Sequence, residues 1–252
     1  MSQTAAQSSP WKTIRFVAFD LETTGTDRTV DRITEVGFVT FENGEVVDRY
    51  QHLVNPEMEI PEEVEEITGI SNEDVADAPT FEQLLPELQP FFEEDYLLAF
   101  NANFDLPFLR AELEHIGESR TLPDCFDPFP FCWKYLRRAG HTRDAKLTTI
   151  CEYLSIPLEN AHRADHDAEA AGHVFLRMDE FAELPTDAEQ LLSLQRALSD
   201  EVESLFGKRR TVFSSIADVR VELGGGYIYG DESDPLRYLF KRLPDVRDVD
   251  RS

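Results

Sequence analysis

At 252 residues, with 41% hydrophobic side chains and a net charge of −26, the chain is long enough for one sizeable core plus a smaller appendage and too rich in core-forming residues to be disordered. Three cysteines, Cys125, Cys132 and Cys151, form no CxxC pair, which speaks against a disulfide framework and a thiolate zinc site and suits a reducing compartment. The opening MSQTAAQSSPWK lacks the apolar run of a signal peptide, and no stretch approaches the roughly 18 apolar residues of a membrane span, so a cytoplasmic setting without a membrane partner is expected.

Residues 1–12 read as a flexible tail. From Ile14 to Phe19 an apolar run rich in aromatic and β-branched residues predicts a buried first strand ending at Asp20. Ile33–Phe41 and Glu45–Val54 flank Asn43-Gly44, a strong hairpin signal, so two antiparallel strands follow. Pro61–Ile67 and Phe81–Phe92 have helical spacing, the second limited by Pro86 and Pro90, and Tyr96–Phe100 reads as a central strand. Helices are predicted over Phe104–Ile116, Phe129–Arg138, Leu147–Leu154 and Asp165–Phe181, with a short strand at Asp124–Phe126. The order implies an α/β fold, a mixed five-stranded sheet flanked by helices, over residues 13–183. Pro185-Thr186-Asp187 marks a boundary, and 187–252 reads as a small α+β appendage. Within it, Leu191, Leu194, Leu198, Val202 and Leu205 stripe one helix, Val219–Tyr229 forms a hairpin about Gly224-Gly225-Gly226, and Pro235–Arg242 forms a last helix. The triple glycine has no following Lys-Ser/Thr and is turn chemistry, not a phosphate loop. The appendage fits self-association, partner docking or a lid.

The period of two in a strand puts Asp20 and Glu22 on one face with Leu21 on the other. Paired carboxylates there suit hard divalent cations such as Mg²⁺ and Mn²⁺, although a solvated strand end is the commoner meaning of Asp-x-Glu. Phe19-Asp20-Leu21-Glu22-Thr23-Thr24-Gly25, then Asn101-Ala102-Asn103-Phe104-Asp105, then Ala161-His162-Arg163-Ala164-Asp165-His166-Asp167-Ala168 together resemble the three motifs of the DnaQ-like (DEDDh) 3′–5′ exonucleases of the ribonuclease H-like superfamily. Leu53–Pro56, Ile67–Ile70 and Ala78–Phe81 agree with bacterial members. By type alone, His166, His173 and Asp165 compete with His162 and Asp167; the family's five-residue interval selects the latter pair.

The resemblance implies that Asp20, Glu22, Asp105 and Asp167 hold two divalent cations, Mg²⁺ or Mn²⁺. His162 then takes the proton of an attacking water, and a nucleoside 5′-monophosphate leaves from the 3′ end of a nucleic acid. It further implies that Thr23 meets the terminal sugar, Ile67, Thr68 and Asn101 contact the last nucleotide, and Phe104 stacks near it. Plain core packing is the competing reading of Ile67 and Phe104, and the helix dipole that of Asp105. The chain departs from the pattern at Phe100, where members often carry histidine. Single-stranded DNA is the expected substrate. The alternatives are an exoribonuclease of the ribonuclease T/oligoribonuclease type and a noncatalytic, polymerase-associated binding subunit. A DNA polymerase or another replication or repair protein is an expected partner.

Fifty acidic residues against 24 basic ones, 19 of them Arg, oppose long-range attraction of a polyanion, but screening confines such fields to about 8–10 Å and bound cations reverse them locally. One stretch is basic: Lys134, Arg137, Arg138, Arg143 and Lys146 face the lone acid Asp144. It reads either as a phosphate grip or as a helix face paired with surface acids.

Overall fold

The computed structural model describes residues 10–158 and 162–212. Strand β1 (Phe16–Thr23) pairs antiparallel with β2 (Ile33–Glu42), and β2 with β3 (Glu45–Leu53). Asn43 and Gly44 turn the hairpin at φ of 54° and 81°, the left-handed pair that a two-residue turn with the strands' own twist requires. Strands β4 (Tyr96–Leu98) and β5 (Asp124–Phe126) extend the sheet in parallel on the far side of β1, giving the order β3-β2-β1-β4-β5. The mixed five-stranded α/β sheet expected from the element order is therefore the one observed.

Helices α1 (Glu62–Thr68), α2 (Asn72–Val75), α3 (Phe81–Leu88), α4 (Ala102–His115), α5 (Phe129–Cys132), α6 (Leu147–Leu154), α7 (Ala164–Leu176) and α8 (Ala188–Val212) complete the described chain. A wider turn over Trp133–Arg137 prolongs α5. None of the described helices is long and apolar enough to cross a membrane.

Both faces of β1 are covered, which is why it reads as a continuous apolar run instead of an alternating one. Val17, Phe19 and Leu21 pack with Phe38, Leu97 and the α4 residues Phe108 and Leu109. Phe16 and Ala18 pack the other way, with Phe41, Phe126 and the α7 residues Ala168, Ala171 and Phe175. Small residues on α7 let that helix lie close to the sheet.

Three differences from the sequence reading have physical causes. The strand does not stop at Asp20: pairing with β2 continues through Glu22↔Glu35 and Thr23↔Ile33, with a bulge between Glu22 and Thr23. Residues 10–12, read as tail, form a helical turn because Trp11 is sealed against Phe175, ring centroids 5.0 Å apart, and Lys12 pairs with Asp179 at 2.6 Å. The leucine stripe of α8 finds its partner in the sheet's own core, where Leu191, Leu192 and Leu198 join Phe126 and Phe175. Asp187 caps α8, accepting from the Gln190 N–H at 3.1 Å. The hairpin expected at 219–229 and the helix expected at 235–242 lie outside the described residues.

Candidate active site

The row Phe16, Ala18, Asp20, Glu22 faces α7, so the side that is apolar at the start of β1 becomes acidic where the strand leaves the core. There it opens into a cleft of about 710 Å³ into which Asp20, Glu22, Asp105, His162 and Asp167 all contribute. Ligand atoms of Glu22, His162 and Asp167 lie within 4.8 Å of one another, a spacing that fits a shared metal ion. Asp20 and Asp105 join them as electrostatic neighbours. All five predicted residues thus meet in one cavity. Two of the competing groups turn elsewhere: Asp165 faces Arg49 of β3 at 3.7 Å, and His173 lies edge-on to Phe41 and near Glu169, while His166 is an electrostatic neighbour of Asp167.

The start of α7 is held in place by β2. At Gly37 a Cβ atom would lie 2.2 Å from the backbone of Ala164 and Asp165, so only glycine permits this approach. Two residues earlier, Glu35, with no exposed surface, accepts from the Ala164 N–H at 3.1 Å, the Arg163 guanidinium at 2.8 Å and the Gln51 amide at 2.5 Å. His162 enters the helix at a left-handed φ of 74°, and its N–H donates to the Asp167 carboxylate at 3.0 Å. Glu35 and Gly37 carry no motif signal of their own; a buried acid in a strand two residues from a glycine was the available hint.

Asp105 is buried, and its carboxylate accepts from the Leu21 N–H at 3.2 Å, which ties α4 to β1 between the two strand acids. The helix it belongs to has no cap of its own. Asn101 sits at φ 65°, and the cap comes from Asp127, just past β5, whose carboxylate accepts from the N–H groups of Asn101, Ala102 and Phe129 at 2.9–3.0 Å. Asp127 is held in turn by Gln195 of α8, whose side chain accepts from the Asp127 N–H at 2.8 Å and donates to the Cys125 carbonyl at 3.0 Å. Sequence reasoning missed both residues because their partners are remote in the chain.

The electrostatics of the acids are unfavourable without a cation. Burial, then the charges of Asp105, Asp167 and Glu22, push Asp20 well above the ordinary carboxylate range. Burial and Asp167 raise Glu22 to about 9. Burial raises Asp105 to about 8 against the pull of the Leu21 N–H, and raises Asp167 against the His162 N–H. Because these folded pKa values exceed unfolded values of about 4, the metal-free fold holds its full stability from them only on the acid side and loses it as pH climbs to about 9. Pairs such as Glu180 with Arg177 act in the opposite sense, below the ordinary carboxylate pKa. In EDTA the melting temperature is therefore expected to fall between about pH 5 and pH 9, and Mn²⁺ or Mg²⁺ to raise it more at the alkaline end, because cations replace protons on the same oxygens. A melting temperature flat in pH and indifferent to either cation would count against a cation site here.

The walls of the cleft hold the remaining predicted residues. Thr23, Ile67, Thr68, Asn101 and Phe104 line it. Phe104 also packs on the core and lies 5.0 Å from Phe108, so it belongs to the core and to the cleft wall at once. The Thr23 hydroxyl donates to the Gly25 carbonyl at 2.6 Å. Phe100 meets Phe129 edge-on at 6.0 Å, making apolar the wall where the resemblance would place histidine. Of the basic stretch, Lys134 and Arg138 pair with Glu201 of α8, the first at 2.6 Å, and Arg138 stacks over Trp133. Val202 and Glu203 of α8 also line the cleft, a contribution no motif announced.

Comparison with known proteins agrees with this geometry. The exonuclease family RNase_T matches residues 17–175. The DNA polymerase III PolC-type of Caldanaerobacter subterraneus subsp. tengcongensis is 34% identical over 165 residues, 65% of this chain but 11% of that protein. The 3′-5′ exonuclease DinG of Bacillus subtilis is 35% identical over 173 residues, 68% of this chain and 18% of that protein. The chain thus spans less than a fifth of either relative. Among solved structures, Exonuclease X in complex with 5′ overhanging duplex DNA superposes with a TM-score of 0.54 at 20% identity, covering 71% of this chain and 97% of that one. The nuclease domain of 3′hExo, a DEDDh family member, bound to rAMP, gives 0.53 at 20% identity, covering 67% and 92%. These two establish likeness of fold.

Proposed function

The chain belongs to the RNase_T exonuclease family, and from that premise we propose that it is a 3′–5′ exonuclease that removes nucleoside 5′-monophosphates from single-stranded DNA with the help of two divalent cations. The observation that carries this reading is the convergence of Asp20, Glu22, Asp105, Asp167 and His162, drawn from β1, α4 and the start of α7, in one cleft. Residues 13–183 are assigned to the exonuclease domain.

The donor set fits hard cations: every carboxylate offers oxygen, and four acids share a pocket, while Arg163 acts on Glu22 and pairs with Glu35. Asp20, Glu22 and Asp167 would hold one ion and Asp20 with Asp105 a second, Mg²⁺ or Mn²⁺. Such ions supply Lewis acidity toward the phosphate and charge opposite the departing oxygen. His162, exposed and lining the cleft, would accept the proton of the attacking water on its imidazole. Ile67, Thr68 and Phe104 form the surface on which the terminal sugar and base rest, with Thr23 and Asn101 beside the acids. The 34–35% relatives are named as a DNA polymerase and a 3′-5′ exonuclease, which favours DNA over RNA and a polymerase or repair protein as partner.

The test is hydrolysis of matched DNA and RNA strands, 5′-labelled, with Mg²⁺ or Mn²⁺. Shortening from the 3′ end keeps the label on a ladder of intermediates, with DNA cut faster. Immediate release of labelled mononucleotide reverses the polarity. Faster cutting of RNA favours the exoribonuclease reading, and intact but bound strands the noncatalytic one.

A further inference from the structure

Helix α8 lies beyond the residues the exonuclease family matches, yet it is built into the cleft. Val202 is buried against Phe129 and Ala145, with Phe100 and Trp133 packed beside them, and so forms part of the apolar wall next to the acids. At about 100° per residue on a helix, the residues before and after a buried position flank it on either side. Those residues are Glu201 and Glu203. Glu201 engages Lys134 and Arg138 together, as a backbone phosphate would. Glu203, exposed, lines the cleft itself.

The helix therefore acts on a passing strand twice. It engages two cations of the basic stretch that could otherwise meet phosphate, and it adds an anion to the lining of the cleft. Neither effect reaches far, because exposed charges are screened within about 8–10 Å at physiological salt. Phosphates that pass Glu201 and Glu203 therefore bear the cost, and a strand too short to reach them does not.

Resting on the nuclease reading above, we propose that α8 sets the strand length the cleft favours: Glu201 and Glu203 disfavour upstream phosphates, so the enzyme works best on short single strands.

The test compares KM for a DNA dinucleotide with KM for a strand of about twenty nucleotides, using the full chain at low salt, its Glu203→Gln variant and the Glu201→Gln/Glu203→Gln double variant. In the unaltered chain KM for the long strand should not fall below that for the dinucleotide. Glu203→Gln should lower the long-to-short KM ratio about threefold and the double variant about tenfold, consistent with contacts that are worth little individually in water. The double variant should also make KM for the long strand more salt-dependent, as freed Lys134 and Arg138 meet phosphate. An unchanged ratio in Glu203→Gln, which breaks none of the pairs at Glu201, overturns the proposal even if the double variant melts early. Absence of turnover on both strands by the unaltered chain counts instead against the nuclease reading.

Discussion

Replacing Asp20 by Asn is expected to do two opposite things: lower kcat/KM by at least about a thousandfold and make the metal-free protein more stable. The first follows from the role proposed for Asp20, the acid expected to serve both cations, since loss of charge complementarity to a reacting phosphate costs about 10²–10³ even for a single neutral donor. The second follows from the burial of Asp20 among Asp105, Asp167 and Glu22, all of which raise its pKa. An amide has the same shape and no charge to bury, so relief on the order of 1–3 kcal/mol is expected near pH 8, with a shallower fall of melting temperature in EDTA. Exonuclease assays and thermal melts on the same preparation check both halves. Retained activity would remove Asp20 from the reaction, and a lower metal-free melting temperature would show that its charge is otherwise compensated.

Gly37→Ala should be the most damaging substitution outside the acids. The added methyl would sit 2.2 Å from the backbone carbons and nitrogens of Ala164 and Asp165, and no side-chain rotation can relieve a collision with backbone. Either β2 or the first turn of α7 must move, at a cost of about 3 kcal/mol, or roughly 10 °C in melting temperature for a domain of this size. The turn that moves carries His162 and Asp167, so activity should also fall more than about a hundredfold, the scale of an ångström-sized misplacement. Glu35→Gln, which keeps the size and one acceptor, should lose less of both. Wild-type melting and turnover in Gly37→Ala would mean that the helix does not rest against that strand.

Much of this arrangement was legible in the order of residues because its causes are local. Strands β1, β2 and β4 were expected as apolar runs, and Asn43-Gly44 set the β2–β3 hairpin on its own although β3 itself is mostly polar. The acids of β1 share a face by the strand period alone, and α6 spans the expected Leu147–Leu154 because its apolar spacing is local. What escaped was non-local. The end of β1 depends on pairing with β2, which residues 14–20 do not encode. The α4 start looked uncapped because its cap, Asp127, lies more than twenty residues on. Phe104 at the predicted helix start is the third residue of the observed one, since a left-handed Asn101 followed by Ala102 and Asn103 has no distinctive helix-start pattern. The basic stretch offered two meanings, and nothing within it could reveal that Glu201, more than sixty residues away, engages two of its cations.

The Gln195 bonds reach beyond the α4 cap. In a parallel pair, alternate residues turn their amides to opposite neighbours; Phe126 gives its carbonyl to Ala99 of the adjoining chain segment, so Cys125 and Asp127 point outward, away from β4. Those outward groups are the ones that Gln195 takes, offering a carbonyl oxygen and an amide hydrogen at the spacing of a peptide unit. A single carboxamide thus occupies the place of a sixth strand. The β5 margin of the sheet, of a kind that in other proteins can recruit a neighbouring chain, is here engaged by the same helix that borders the cleft.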